Sequence, residues 1–190
     1  MALNMNTNLI ITTLVTILIS HLPSSSTVDP ERPTKSVIDI ICSQTVNFNE
    51  CESIVTSQLD SSHTDIETIT KVTTKRALTY AMETVSHIQD YLLPNTTDSR
   101  DKAVFSACKI AYNAVVSRLQ SAYASMYERD YVAMKAQQKQ ALRYIEVCVK
   151  RTNFFRRTPF VAANYYARLM AMTASISGQI LCSSYNRDPC

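Results

Sequence analysis

The residues best equipped for covalent chemistry are six cysteines: Cys42, Cys51, Cys108, Cys148, Cys182 and Cys190. Cysteine clusters hold metals, act as nucleophiles or pair into disulfides. Metal ligation fits badly. There is no Cys-x-x-Cys, and the three histidines are scattered, with His21 in an apolar leader and only His63 and His87 beyond it. A Cys–His dyad needs a free thiolate, and cysteines that pair are not nucleophiles. His87 sits beside an apolar stripe, where packing or a surface role is the ordinary reading. The acids come about one per turn on polar faces, with no couple suited to acid–base work. There is a single glycine, Gly178. Phosphate-cradling loops, dinucleotide-binding turns and nucleophile elbows each need several. The reading is a binder and not an enzyme, with no cofactor and no metal.

Those cysteines must be carried by helices. Scarce glycine with abundant Ala, Met, Gln, Lys and Arg favours long helices and short connections. Residues 64–93 form the first long helix, with the stripe Ile66, Ile69, Thr73, Ala77, Ala81, Val85, Ile88 and Leu92. Thr64 or Asp65 caps it and Pro94 stops it. Residues 99–127 form the second, on Val104, Ala107, Cys108, Ala111, Tyr112, Val115, Leu119, Ala122 and Met126. Glu128-Arg129-Asp130 is a turn. The third helix spans 131–151 on Val132, Ala136, Ala141, Tyr144, Val147 and Cys148. The fourth spans 160–182 on Ala163, Leu169, Met170, Thr173, Ile176 and Ile180, and Gly178 weakens its last turn. Two short helical pieces flank a turn at 44–49. The fold class is all-α: an up-down-up-down four-helix bundle with a short N-terminal helical hairpin, stapled by disulfides.

Helix geometry narrows the pairing. The midpoint of 108 and 148 is 128, in the turn between the second and third helices. Each of these cysteines lies about 20 residues, roughly 30 Å, from the tip on its own helix. Antiparallel packing brings them to one height, which predicts a Cys108–Cys148 bridge. Cys42 and Cys51 flank the N-terminal turn, where a bridge would hold a hairpin too small to hold itself. Cys182 and Cys190 have two readings: a clip drawing the tail onto the last helix, or two free thiols.

Leu9 to Ile19 is an apolar run of secretory length, too short to span a bilayer, and Ser24, Ser25 and Ser26 follow where a peptidase cuts. No Lys or Arg precedes it. Residues 1–26 therefore read as a signal peptide and 27–190 as one secreted domain, with no membrane segment left after cleavage. The net charge of +3 and a pI near 8.5 suit an acidic partner and fall short of a nucleic-acid binder. Asn95-Thr96-Thr97 is a glycosylation sequon. Two further features are a Tyr165-Tyr166 pair opening the last helix and a basic cluster of Lys150, Arg151, Arg156 and Arg157 around Phe154-Phe155.

The chain resembles the plant inhibitors of pectin methylesterase and of acid invertase. The resemblance rests on Cys42 and Cys51 with eight residues between them, on Ala107-Cys108-Lys109-Ile110-Ala111-Tyr112-Asn113-Ala114-Val115, on Asp130-Tyr131, on Ala141-Leu142 leading to Cys148, and on Asn164 followed by an apolar helix through Ile176 and Ile180. It implies a four-helix bundle with bridges Cys42–Cys51 and Cys108–Cys148. It also implies a monomeric cell-wall or apoplastic protein that covers the substrate cleft of a carbohydrate-active enzyme in a one-to-one complex. Three features depart from the family pattern. Asp130-Tyr131-Val132-Ala133 stands where well-known invertase inhibitors carry Pro-Lys-Phe. Val149-Lys150-Arg151 stands where an acidic residue usually follows the fourth cysteine. Cys190 offers Cys182 a partner. Pectin methylesterase is the first expectation as target, an invertase the second, and a non-inhibitory structural or signalling bundle the third. Gln137, Gln138, Lys139 and Arg143 are solvent-facing candidates for partner contact.

Overall fold

The computed structural model describes residues 34–59, 64–152, 160–185 and 190. The expected leader at 1–26, His63, Phe154, Phe155, Arg156 and Arg157 lie outside the described residues.

All described elements are helical. Two short helices, α1 (Thr34–Cys42) and α2 (Phe48–Thr56), precede four long ones: α3 (Ile66–His87), α4 (Ser99–Tyr127), α5 (Tyr131–Thr152) and α6 (Phe160–Tyr185). The starts follow from short polar side chains that satisfy otherwise unpaired backbone N–H groups. Asp65 Oδ1 accepts from Thr68 N at 2.7 Å, Asp98 Oδ1 from Arg100 N at 2.8 Å, and Asp130 Oδ1 from Ala133 N at 2.9 Å. The α4–α5 turn closes without glycine. Arg129 takes the left-handed conformation (φ 57°), and Asp130 N donates to Ser125 O at 2.9 Å.

Pro94 does not stop the first long helix. The chain passes from α3 through a π-turn (Ile88–Leu92) into a last turn, Leu93–Asn95. The π-turn carries Leu93 N–H to Ile88 O, restarting the hydrogen-bond register. Pro94 then falls in the first turn of the new register, where its missing N–H costs nothing. The run ends one residue later, with Thr96 extended (φ −94°, ψ 121°).

The four long helices pack in a ring, α3 on α4, α4 on α5, α5 on α6 and α6 back on α3, as the up-down-up-down pattern requires. The central core includes Ala77, Ala81, Phe105, Tyr112, Val115, Leu119, Ile145, Phe160 and Met170. The small hairpin seats Val37, Ile38, Ile41 and Val55 against Ile69 of α3 and Leu169 of α6. At the α4–α5 tip a third cluster joins Met126, Tyr131, Met134 and Leu181.

Three disulfides staple this frame. Cys42–Cys51 closes the hairpin (Cα–Cα 5.5 Å), Cys108–Cys148 ties α4 to α5 (4.9 Å), and Cys182–Cys190 draws the tail onto α6 (5.7 Å). Of the two readings of the last pair, the clip is the one found.

Candidate functional site

The buried polar groups come first, because they decide what is left outside. Gln138 was expected to face solvent, and it is fully buried. Its Nε2 donates to Thr74 Oγ1 across the bundle at 2.8 Å, and Thr74 in turn donates to Thr70 O at 2.7 Å. Gln138 Oε1 lies against Gly178, where a built Cβ would collide with it. Gly178 therefore makes room for Gln138 and is more than a weak spot in a helix. Beside this pair, Thr73 and Ser177 share a hydrogen bond of 3.0 Å between α3 and α6.

A second buried chain sits nearer the other end. Tyr112 Oη donates to Asn164 Oδ1 at 2.9 Å, and Asn164 Nδ2 donates to Thr152 Oγ1 at 2.9 Å, linking α4, α6 and α5. Burial, with a lesser effect of Tyr80, pushes the Tyr112 hydroxyl far above the ordinary tyrosine range. Each group here is held by other side chains in the packed interior. These are devices that fix which helix meets which, and not reacting groups.

The inward seam of α5 is Tyr131, Met134, Gln138, Ala141, Ile145, Cys148 and Thr152. It steps three, four, three, four, three, four, a cleaner heptad than the expected stripe. Val132 is half-buried, while Ala136 and Val147 are exposed. The expectation followed residue hydrophobicity, and the real seam accepts one glutamine at its centre.

With that seam turned inward, α5 presents Lys139, Arg143, Val147 and Lys150 outward, in steps of four, four and three, all exposed. Gln137 borders this face, half-buried, its Oε1 accepting from Arg118 Nη1 at 3.1 Å. The one acid of α5, Glu146, is engaged by Arg168 of α6 in an ion pair of 2.6 Å. The result is a basic ridge with an exposed valine in its middle. Of the four residues expected to share a contact face, Lys139 and Arg143 do, Gln137 stands at its edge and Gln138 does not. Lys150 was noticed only as part of a loop cluster. Its place on the ridge depends on the seam's true register.

Two exposed aromatic groups lie elsewhere. At the α4–α5 tip, Lys71 Nζ sits 4.8 Å from the centre of the Tyr127 ring, and Tyr127 Oη donates to Tyr123 Oη at 3.2 Å. When Tyr127 ionises, the Tyr123 hydroxyl turns its own proton toward the phenolate, and that reversed bond, with Lys71 adding to it, holds the Tyr127 hydroxyl below its usual range. Residues 71 and 127 are too far apart in sequence for this pairing to be read there. Near the start of α6, Tyr165 Oη donates to Glu50 Oε2 at 2.7 Å, so the tyrosine pair helps dock the hairpin.

All six cysteines are bonded, and among the described residues no group of three or more His, Cys, Asp or Glu is arranged to hold a metal ion. Among these residues, no helix is long and apolar enough to cross a membrane.

Comparison with known proteins supplies a context for the ridge. Residues 36–176 match the family model described as plant invertase/pectin methylesterase inhibitor. Among the solved structures that share the fold are two plant inhibitors. One is a mutant form of a pectin methylesterase inhibitor from Arabidopsis, with a TM-score of 0.68, 18% identity, and 75% of this chain and 95% of that one covered. The other is a pectin methylesterase inhibitor from Arabidopsis thaliana, with a TM-score of 0.59, 19% identity, and 78% and 97% covered. No curated protein sequence matches.

Proposed function

The chain belongs to the plant invertase/pectin methylesterase inhibitor family, whose members are inhibitors of enzymes and not enzymes themselves, and from that premise we propose that its target is a pectin methylesterase. The observation that carries this reading is the family match across 36–176, over both N-terminal helices and most of the bundle. Within the family, the α4–α5 tip favours the methylesterase over invertase. Where invertase inhibitors carry Pro-Lys-Phe, this chain has Asp130, which caps α5, and Tyr131, which is buried. The Tyr131 ring is closed to contact, and the Asp130 carboxylate, although exposed, is engaged in the cap.

The inhibitor is a secreted monomer, cleaved of residues 1–26, that acts outside the cell and forms a one-to-one complex. The basic ridge of α5, led by Lys139 and Arg143 with Gln137 at its margin, meets an acidic region beside the substrate cleft. Charge complementarity of this kind speeds encounter and sets orientation. Inhibition needs no reacting group, because a bundle seated over the cleft excludes the polymer.

The test is titration of the oxidised protein into a plant pectin methylesterase and an acid invertase at mildly acidic pH. Loss of methylesterase activity near equimolar ratio is expected, with invertase unaffected. Loss of invertase activity alone would move the assignment to the second branch. No effect on several isoforms of either enzyme would leave the non-inhibitory bundle as the reading.

A further inference from the structure

One sequence motif is not absorbed by the inhibitory reading: Asn95-Thr96-Thr97. The structure places it at an unusual helix end. Asn95 is exposed and closes the last turn after the π-turn, and the chain leaves it extended through Thr96. Its Nδ2 reaches back to donate to Tyr91 O at 2.7 Å. An amide nitrogen carries two hydrogens. One is used in this bond, and the other is the one an N-glycosidic bond replaces. The hydrogen bond is therefore compatible with glycosylation, and it holds the attachment nitrogen against the backbone of Tyr91.

What waits there is an aromatic ring. Tyr91 is 59% exposed, although a large apolar ring is normally covered. Its ring stacks on His87, with centroids 5.3 Å apart and planes 18° apart, so one face is occupied and the other is open. Pyranose rings present an apolar C–H face that packs well on such a surface. We propose that Asn95 carries an N-linked glycan whose first sugar covers the open face of Tyr91. The inference rests on the secretory route proposed above. It is compatible with the inhibitory ridge, because α3 sits diagonally across the ring of helices from α5. A glycan on the last turn of the run that continues α3 leaves Lys139 and Arg143 clear.

The experiment secretes the full chain from a eukaryotic host and compares its mass before and after treatment with a peptide N-glycosidase. One glycan should be lost, with Asn95 converted to aspartate, and Asn95→Gln should be secreted without it. The trimmed protein should melt about 2–4 °C lower than the glycosylated one. Tyr91→Ala should keep the glycan and lose that difference. Secretion with a bare Asn95 overturns the proposal while leaving the secretory route standing. Retention in the cytosol with residues 1–26 uncut overturns both. An unchanged melting difference in Tyr91→Ala overturns the stacking.

Discussion

Gly178 and Gln138 face each other across the α5–α6 interface, and their contact sets two effects in opposition. Replacing a mid-helix glycine with alanine gains up to about 1 kcal/mol of helix propensity. Overpacking a filled interior costs about 1–3 kcal/mol. Because the new methyl would collide with a buried amide, the cost should win, and Gly178→Ala should destabilise in urea or guanidinium unfolding. In a Gln138→Ala background the obstacle is gone, so the same substitution should become neutral or stabilising. Equal effects in both backgrounds would show that the pair does not couple. Tyr112 carries a pH signature. Its folded hydroxyl titrates above the ordinary 10.0, so below that pH both states hold the proton and stability is unaffected. As pH rises past it, the unfolded chain loses a proton that the folded one keeps. Stability then falls by about 1.4 kcal/mol per pH unit, until the folded hydroxyl also ionises. Tyr112→Phe should flatten this alkaline slope. At neutral pH it should cost about 1–3 kcal/mol, because Asn164 Oδ1 loses its donor in the interior. The inward place of Tyr112 was legible on its apolar stripe, but its bond to Asn164 and the Gln138–Gly178 contact were not, because Gln138 looked like a surface residue and Gly178 like a defect.

Among the helices, the two larger consequences follow from the staples. Cys108 and Cys148 close a loop of 40 residues, and Cys42 and Cys51 one of 9. In the chain-entropy model the longer closure contributes about 4 kcal/mol and the shorter about 2.5 kcal/mol. Cys108→Ala with Cys148→Ala should therefore lower the global melting temperature more than Cys42→Ala with Cys51→Ala. The second pair of changes should act locally, with the amides of α1 and α2 losing exchange protection before those of the bundle. Equal and global losses from both would mean that the hairpin and bundle unfold as one unit. The Cys108–Cys148 bridge was legible because helical rise is fixed, so equal distance from a turn means equal height. The fate of Pro94 was not. A proline's effect depends on whether the register is restarted before it, and a π-turn leaves no mark in residue type.

For the molecule as a whole, the prediction concerns the ridge. Reversing charge with Lys139→Glu and Arg143→Glu should raise the concentration needed for half-inhibition of the target methylesterase by about tenfold or more, mostly through slower association. Both side chains are exposed, so the melting temperature should hold within about 2–4 °C, since each surface change rarely exceeds about 0.5 kcal/mol. Rising salt should weaken the parent's inhibition and narrow the gap between the two proteins. Unchanged inhibition by a folded double variant would move the interface off α5, with the Lys71–Tyr127 patch at the tip the next surface to test.

Residue type and spacing alone carried the element count, the boundaries of α4 and α5 to within a residue, a cap at Thr64 or Asp65 and the Cys108–Cys148 staple. Local backbone chemistry and helical rise suffice for these. Only the packed bundle decided which side of α5 faces in, that Gln138 belongs to the interior, and that Lys139, Arg143 and Lys150 share a ridge. A helix with alanines and glutamines on several sides has no unambiguous apolar face. Its rotation was chosen by partners on other helices: Thr74 on α3, which accepts from the Gln138 amide, and Gly178 on α6, whose missing side chain leaves that amide room.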